Sequence, residues 1–123
     1  MSYNIYKLIH FLGIFALLTA LSAGGMHALR GGIRADNPHR RLLGIAHGLA
    51  LFLILLGGFG MLARLGIVEG GLPGWIWAKL AIWLLLGGAL TLAARGRQAA
   101  AAVLIGVPLL ALAAGAIALY KPF

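Results

Sequence analysis

Cysteine is absent from this sequence, and acidic side chains nearly so: Asp36 and Glu69 are the two carboxylates in 123 residues. The first absence excludes disulfides, zinc thiolates, iron–sulfur clusters and cysteine nucleophiles. The second leaves no paired carboxylates, and no serine–histidine–acid constellation or phosphate-binding loop supports a hydrolase or a kinase. Charge is scarce at 10% of residues while 63% are hydrophobic, against about 25% and about 45–50% in a soluble domain. An ordinary water-soluble enzyme is thereby excluded, and the length suits a single domain, residues 1–123.

The charge that is present is basic. Ten Lys and Arg give a formal +8, which in a soluble protein would suggest a polyanionic partner. Here the basic residues cluster between apolar runs, where they mark membrane orientation, so membrane lipids are the expected partner and nucleic acid is not.

A bilayer core about 30 Å thick needs roughly 20 helical residues to cross it. Four runs meet that length: residues 5–26, 42–62, 75–92 and 99–119. The turns between them carry Gly31, Gly32 and Pro38, then Glu69, Gly70, Gly71 and Pro73, then the tight Arg95–Gln98 connection. Asp36 or Asn37 is placed to cap the second helix. The fold class is therefore all-α, an integral membrane four-helix bundle running up-down-up-down. Lys7 and the small residues Ala20, Ser22 and Ala23 loosely resemble a signal peptide, but His10 interrupts the apolar stretch, and the first run is read as a retained span. Loops one and three hold Arg30, Arg34, Arg40, Arg41, Arg95 and Arg97, against Lys7, Arg64, Lys79 and Lys121 on the other side. The positive-inside rule places those loops in the cytoplasm of a bacterial inner membrane and both termini in the periplasm. Trp75, Trp77, Tyr3, Tyr6 and Tyr120 fall at the outer interface, as in an aromatic belt.

Helices in lipid associate where small residues let backbones approach. Gly44 and Gly48 form one small-xxx-small step, Gly57, Gly58 and Gly60 crowd the outer half of the second helix, and Gly87 with Gly88 sits in the third. The fourth is a ladder of alanine and glycine with Pro108 inside it, where a bend is expected. Packing is the ordinary role of these glycines; Gly44 and Gly48 also leave room for a flat ligand beside His47.

Ionisable groups inside a bilayer are costly, so each is a functional candidate that needs a named partner. His10, His47 and Lys79 qualify. Helical rise puts His10 about 8 Å and Lys79 about 7 Å outward of their helix centres, on one level, and His47 about 15 Å deeper than His10. The axial ligands of one haem iron stand only about 4 Å apart, so His10 and His47 do not clasp the same iron. His10, Gly13, Leu17, Ala20 and Gly24 share a face suited to a ring-shaped cofactor, and equally to a histidine donating across a helix interface. Both readings stand for His10 and for His47. Lys79 is near enough to the surface to snorkel. His27 is a lesser partner for His47, and His39 belongs to the loop. Met61 is a candidate second ligand beside His10 for haem or copper(I), with packing its ordinary role.

The stretches Tyr6-Lys7-Leu8-Ile9-His10, Arg41 with His47 and Gly57, and Gly74-Trp75-Ile76-Trp77-Ala78-Lys79-Leu80 resemble small membrane proteins of the SirB type, and the wider set that includes HemJ-type protoporphyrinogen oxidases and copper-resistance D proteins. The resemblance covers about three-quarters of the chain. In the HemJ type a first-helix histidine and a third-helix lysine serve haem b binding and activity, and these match His10 and Lys79; the SirB-type second-helix histidine matches His47. Ala23-Gly24-Gly25-Met26-His27 stands where the HemJ type has aromatic residues and a Leu-Pro-Arg segment, so porphyrinogen oxidation itself is not carried over.

The resulting expectation is an inner-membrane protein binding haem b or a related porphyrin, with a redox or electron-transfer role. The candidate cofactor-binding residues are His10, Lys79, His47, Gly13 and Gly48, and the candidate iron ligands are His10, Lys79 and His47. A quinone, a respiratory partner or further copies of the chain are the partners that role implies. The rivals are a structural or assembly subunit of a larger membrane complex, and a copper or proton permease.

Overall fold

The computed structural model describes residues 2–66 and 70–121; Met1 and Glu69, the latter placed by sequence in the second turn, lie outside them. Among the described residues there are four α-helices, α1 (Tyr3–Leu29), α2 (Arg40–Leu65), α3 (Gly74–Ala93) and α4 (Arg97–Tyr120), plus a single 3-10 turn over Arg34–Asp36. Each helix contains its expected span and exceeds it by one to three residues at each end.

Local chemistry sets several of these ends. Ser2 caps α1, its Oγ accepting from the Ile5 N–H at 3.3 Å, which satisfies one of the donors a helix start leaves free. Gly66 closes α2 at φ +72°, a left-handed conformation that glycine adopts without steric cost. The entry to α2 departs from expectation, because neither Asp36 nor Asn37 caps it. His39 occupies the N-cap without a side-chain bond. The Asp36 carboxylate instead accepts from His27 Nε2–H at 2.7 Å and from the Ile33 N–H at 3.1 Å, and the Asn37 Oδ1 accepts from the His39 N–H at 2.9 Å. The 3-10 turn brings Asp36 beneath the end of α1, where His27 competes for it. α4 continues through Pro108 as one helix.

Helix lengths of 20 to 27 residues and mean hydropathies of 1.8 to 2.5 make each element long and apolar enough to cross a bilayer. Many of the largest apolar side chains point outward, among them Leu84, Ile105 and Leu112, each about two-thirds exposed. Such a surface belongs against lipid. α1 packs on all three other helices and most extensively on α2; α3 pairs with α4, and α2 meets α3 only lightly. The core is correspondingly small: Leu17 and Leu21 of α1, Ala50 of α2, Leu86, Ala89 and Ala93 of α3, and Val103 and Val107 of α4. Two contacts mark the common ends. Arg97 of α4 lies against Gly31 at one end, and the Lys121 ammonium stands 5.3 Å from the Trp75 ring at the other.

Glycine sets the α1–α2 register. A Cβ at Gly13 would fall 2.8 Å from Ala50 O and Ile54 N, and one at Gly57 would fall 2.5 Å from His10 N and 2.6 Å from Tyr6 O. The backbones touch at those points, as small residues permit in lipid. Gly44 and Gly48 behave differently: a Cβ at either meets nothing within 4 Å, so this step joins no helix of the bundle and lies on its exposed surface.

Candidate functional site

In a helix that crosses hydrocarbon the backbone satisfies itself, and a polar side chain must find its partner across a helix interface. Three side chains do so here. His10 of α1 places Nδ1 2.8 Å from Ile54 O of α2. His47 of α2, 7% exposed, places Nε2 3.1 Å from Leu86 O of α3. Trp83 of α3 donates Nε1–H to Leu51 O of α2 at 3.0 Å. The last two bonds cross the light α2–α3 seam in opposite directions and tie it at two points.

These bonds fix the chemistry of both imidazoles. A carbonyl oxygen only accepts, so the proton of a neutral ring lies on Nδ1 in His10 and on Nε2 in His47. The opposite nitrogen of each ring keeps its lone pair. His10 Nε2 has no hydrogen-bond partner among the described residues, and no fully buried side-chain nitrogen or oxygen there lacks one. The free nitrogen is therefore open to a ligand. An imidazole whose N–H is held by a carbonyl while the other nitrogen remains free is the arrangement metal-binding histidines use to fix tautomer and ring orientation.

The α2–α3 bonds pair His47 with Leu86 and Leu51 with Trp83, and one further turn of these antiparallel helices brings Lys79 level with the Ile54 region of α2, where His10 makes its bond. Lys79 is half-buried, with Trp75 preceding it by one turn. Gly58 of α2 leaves one edge of the His10 ring uncovered, since a Cβ there would sit 3.6 Å from Cε1 and Nδ1.

The other candidates lie apart. His47 bonds at Leu86, and seven residues of α2 separate it from Ile54, the partner of His10, which is about 10 Å of helix. Gly57, which lies against the His10 backbone, is ten residues from His47, about 15 Å of helix. The face opened by Gly13 is filled by α2 backbone, leaving no room there for a ring. Gly48 borders open space on the outer surface of α2. His27 pairs with Asp36 and not with His47, and His39 is exposed in the loop. Among the described residues no three His, Asp or Glu side chains gather as a metal-binding group.

Trp83 is the polar partner that sequence reasoning misses, although an indole N–H in the middle of a span signals that an acceptor must be near. Compared with protein-family models, with curated proteins and with solved structures, the chain matches none.

Proposed function

We propose that the protein is a multi-pass protein of the bacterial inner membrane, with both termini periplasmic, that binds haem b or a related porphyrin in the outer half of the bundle. One observation carries this reading: His10 has its Nδ1 proton committed to Ile54 O, leaving Nε2 as an open nitrogen at the level of Lys79. In this assignment His10 would hold the iron. Lys79 would be either a second ligand or the cation that meets a propionate, and its place one turn after Trp75, over which Lys121 stands, suits the second role at the outer interface. The donor set fits iron, since neutral imidazole is an ordinary haem ligand. Because α2 closes the Gly13 face of α1, that face would not hold the ring.

Bound there, the porphyrin supplies one-electron chemistry, and the protein supplies orientation and tuning. Ile54 O would hold the imidazole at a fixed rotation. His47, with Nδ1 free on the α2–α3 seam, is assigned to a quinone or to a second site, distinct from that of His10.

A second reading has its own support. His10, His47 and Trp83 each spend a proton on an interhelical bond, which is what a structural or assembly subunit of a larger membrane complex would need and no more. Absorption spectra of the purified protein, oxidised and then reduced, separate the two. A Soret band lost in His10→Ala and shifted in Lys79→Gln, which breaks no interhelical bond, supports the porphyrin site. A colourless protein that copurifies with a larger assembly refutes it. Copper analysis of the same sample tests the permease alternative.

A further inference from the structure

The basic end of the bundle holds a cavity that the redox reading does not use. Its volume is about 70 Å³, and it opens where α1, α2, α3 and the first loop converge. His27, Asn37, Arg40 and Thr91 form its polar side, and Leu43 and Leu90 its apolar side.

Asn37 is the informative residue. It is 8% exposed, and its Oδ1 is already taken by the His39 N–H. Its amide nitrogen has no hydrogen-bond partner among the described residues. No fully buried side-chain nitrogen or oxygen there is left unsatisfied, so this donor opens into the cavity it lines. The neighbouring groups also donate. Arg40 makes only two long contacts, both 3.4 Å, to Ala35 O and Asn37 O, which leaves most of its guanidinium free. α2 starts at this corner with no side-chain cap and no acidic residue in its first turn, so its first N–H groups add positive potential. Asp36, the one acid among the described residues, has its Oδ1 covered by His27 and the Ile33 N–H. Arg30, Arg41, Arg95 and Arg97 surround the same end.

A donor-rich pocket in a field of arginines recognises a phosphate oxyanion. Leu43 and Leu90 each lie one turn from the His47–Leu86 bond across the α2–α3 seam, so the apolar side of the cavity adjoins that seam, which suits a phosphate carrying acyl chains. We infer that this cavity is a binding site for a phosphate group, held by the Asn37 amide and the Arg40 guanidinium and presented by an anionic phospholipid. Basic pockets between helices at this level of a membrane protein take such headgroups.

The test uses the full-length protein in uncharged detergent, with binding of phosphatidylglycerol, phosphatidylcholine and inorganic phosphate each measured by native mass spectrometry and thermal shift. Phosphatidylglycerol binds about tenfold more tightly than phosphatidylcholine, and Arg40→Gln removes most of that difference. Asn37→Asp keeps the acceptor for His39, so the turn survives, but replaces the donor by a negative charge and weakens phosphatidylglycerol by a similar factor. Arg64→Gln, at the opposite end, leaves binding unchanged. Millimolar inorganic phosphate that binds and displaces the lipid would assign the site to free phosphate and overturn the lipid source. Equal affinity for the two lipids, or equal loss in Arg64→Gln and Arg40→Gln, overturns the site itself.

Discussion

Replacing Gly57 by alanine tests the contact that sets the depth of His10. The added Cβ would lie 2.5 Å from His10 N, 2.6 Å from Tyr6 O and 2.7 Å from His10 Cα. All three are backbone atoms, so no change of rotamer relieves the clash. Reaching ordinary van der Waals contact requires α1 and α2 to part locally by about 0.9 Å, and a gap of that size forfeits about a quarter to a half of each neighbouring dispersion contact. Overpacking of this kind costs about 1–3 kcal/mol, and stretching the His10–Ile54 bond adds up to about 0.6 kcal/mol. Alanine returns about 1 kcal/mol through helix propensity. The net loss is about 1–2 kcal/mol, or roughly a tenfold fall in the folded-to-unfolded ratio. Gly48→Ala, with open space around the new methyl, keeps the propensity gain without the clash and is neutral or stabilising. Reversible unfolding in mixed micelles with increasing SDS, followed by tryptophan fluorescence, measures both. Equal midpoints for the two variants would refute the assignment of Gly57 to the helix contact and Gly48 to the outer surface.

Three further outcomes follow from the same geometry. His47→Leu and Trp83→Phe each break one α2–α3 bond at an average cost of about 0.6 kcal/mol; because the two bonds tie one seam, a double-mutant cycle gives a coupling of at least about 0.5 kcal/mol, and strict additivity would show that the seam is held by packing alone. Asp36→Asn weakens the acceptor for His27 and the Ile33 N–H and speeds protease cleavage within loop one severalfold while leaving the unfolding midpoint of the spans unchanged; an unaltered cleavage rate refutes a structural role for that pair. Single cysteines at Gln98 and at Gly71, introduced into a chain that has none, react from opposite sides of the membrane, Gln98 from the cytoplasm in the proposed orientation; labelling of both from one side contradicts the up-down-up-down arrangement.

The spans were legible because each depends on a property summed over about 20 residues, hydrophobicity, which local errors hardly disturb. The turns were legible through Gly31, Gly71 and Pro73, whose backbone preferences act alone. Partner choice was not legible. Gly13, Gly48 and Gly57 look alike in sequence, yet Gly13 and Gly57 meet backbone and Gly48 meets nothing, because which face of α2 turns toward α1 is decided by all four helices together. The same holds for Asp36, a plausible cap for α2 until the 3-10 turn carries it to His27. The residues of the candidate site were visible as ionisable exceptions in apolar runs; their hydrogen-bond acceptors were not, since any carbonyl of a facing helix is a chemical equal until the register is known.

The two roles weighed for His10 use different atoms, and that makes them separable. The structural role needs only the donor at Nδ1, which reaches Ile54 O at 2.8 Å. The ligand role needs Nε2 as well. An asparagine side chain places an amide N–H at about the position of Nδ1 and has no counterpart of Nε2. His10→Asn therefore preserves the α1–α2 bond while removing the nitrogen assigned to iron, whereas His10→Ala removes both. If His10 is a ligand, the His10→Asn protein unfolds at nearly the wild-type SDS concentration and binds no added haemin, while the wild type gains a Soret band on the same addition. If His10 is only an interhelical donor, the asparagine and wild-type proteins respond identically to haemin, and the alanine variant alone differs, through its stability. Identical spectra in all three would remove the porphyrin assignment and leave His10, like Trp83, as a side chain whose work is to hold two helices in register.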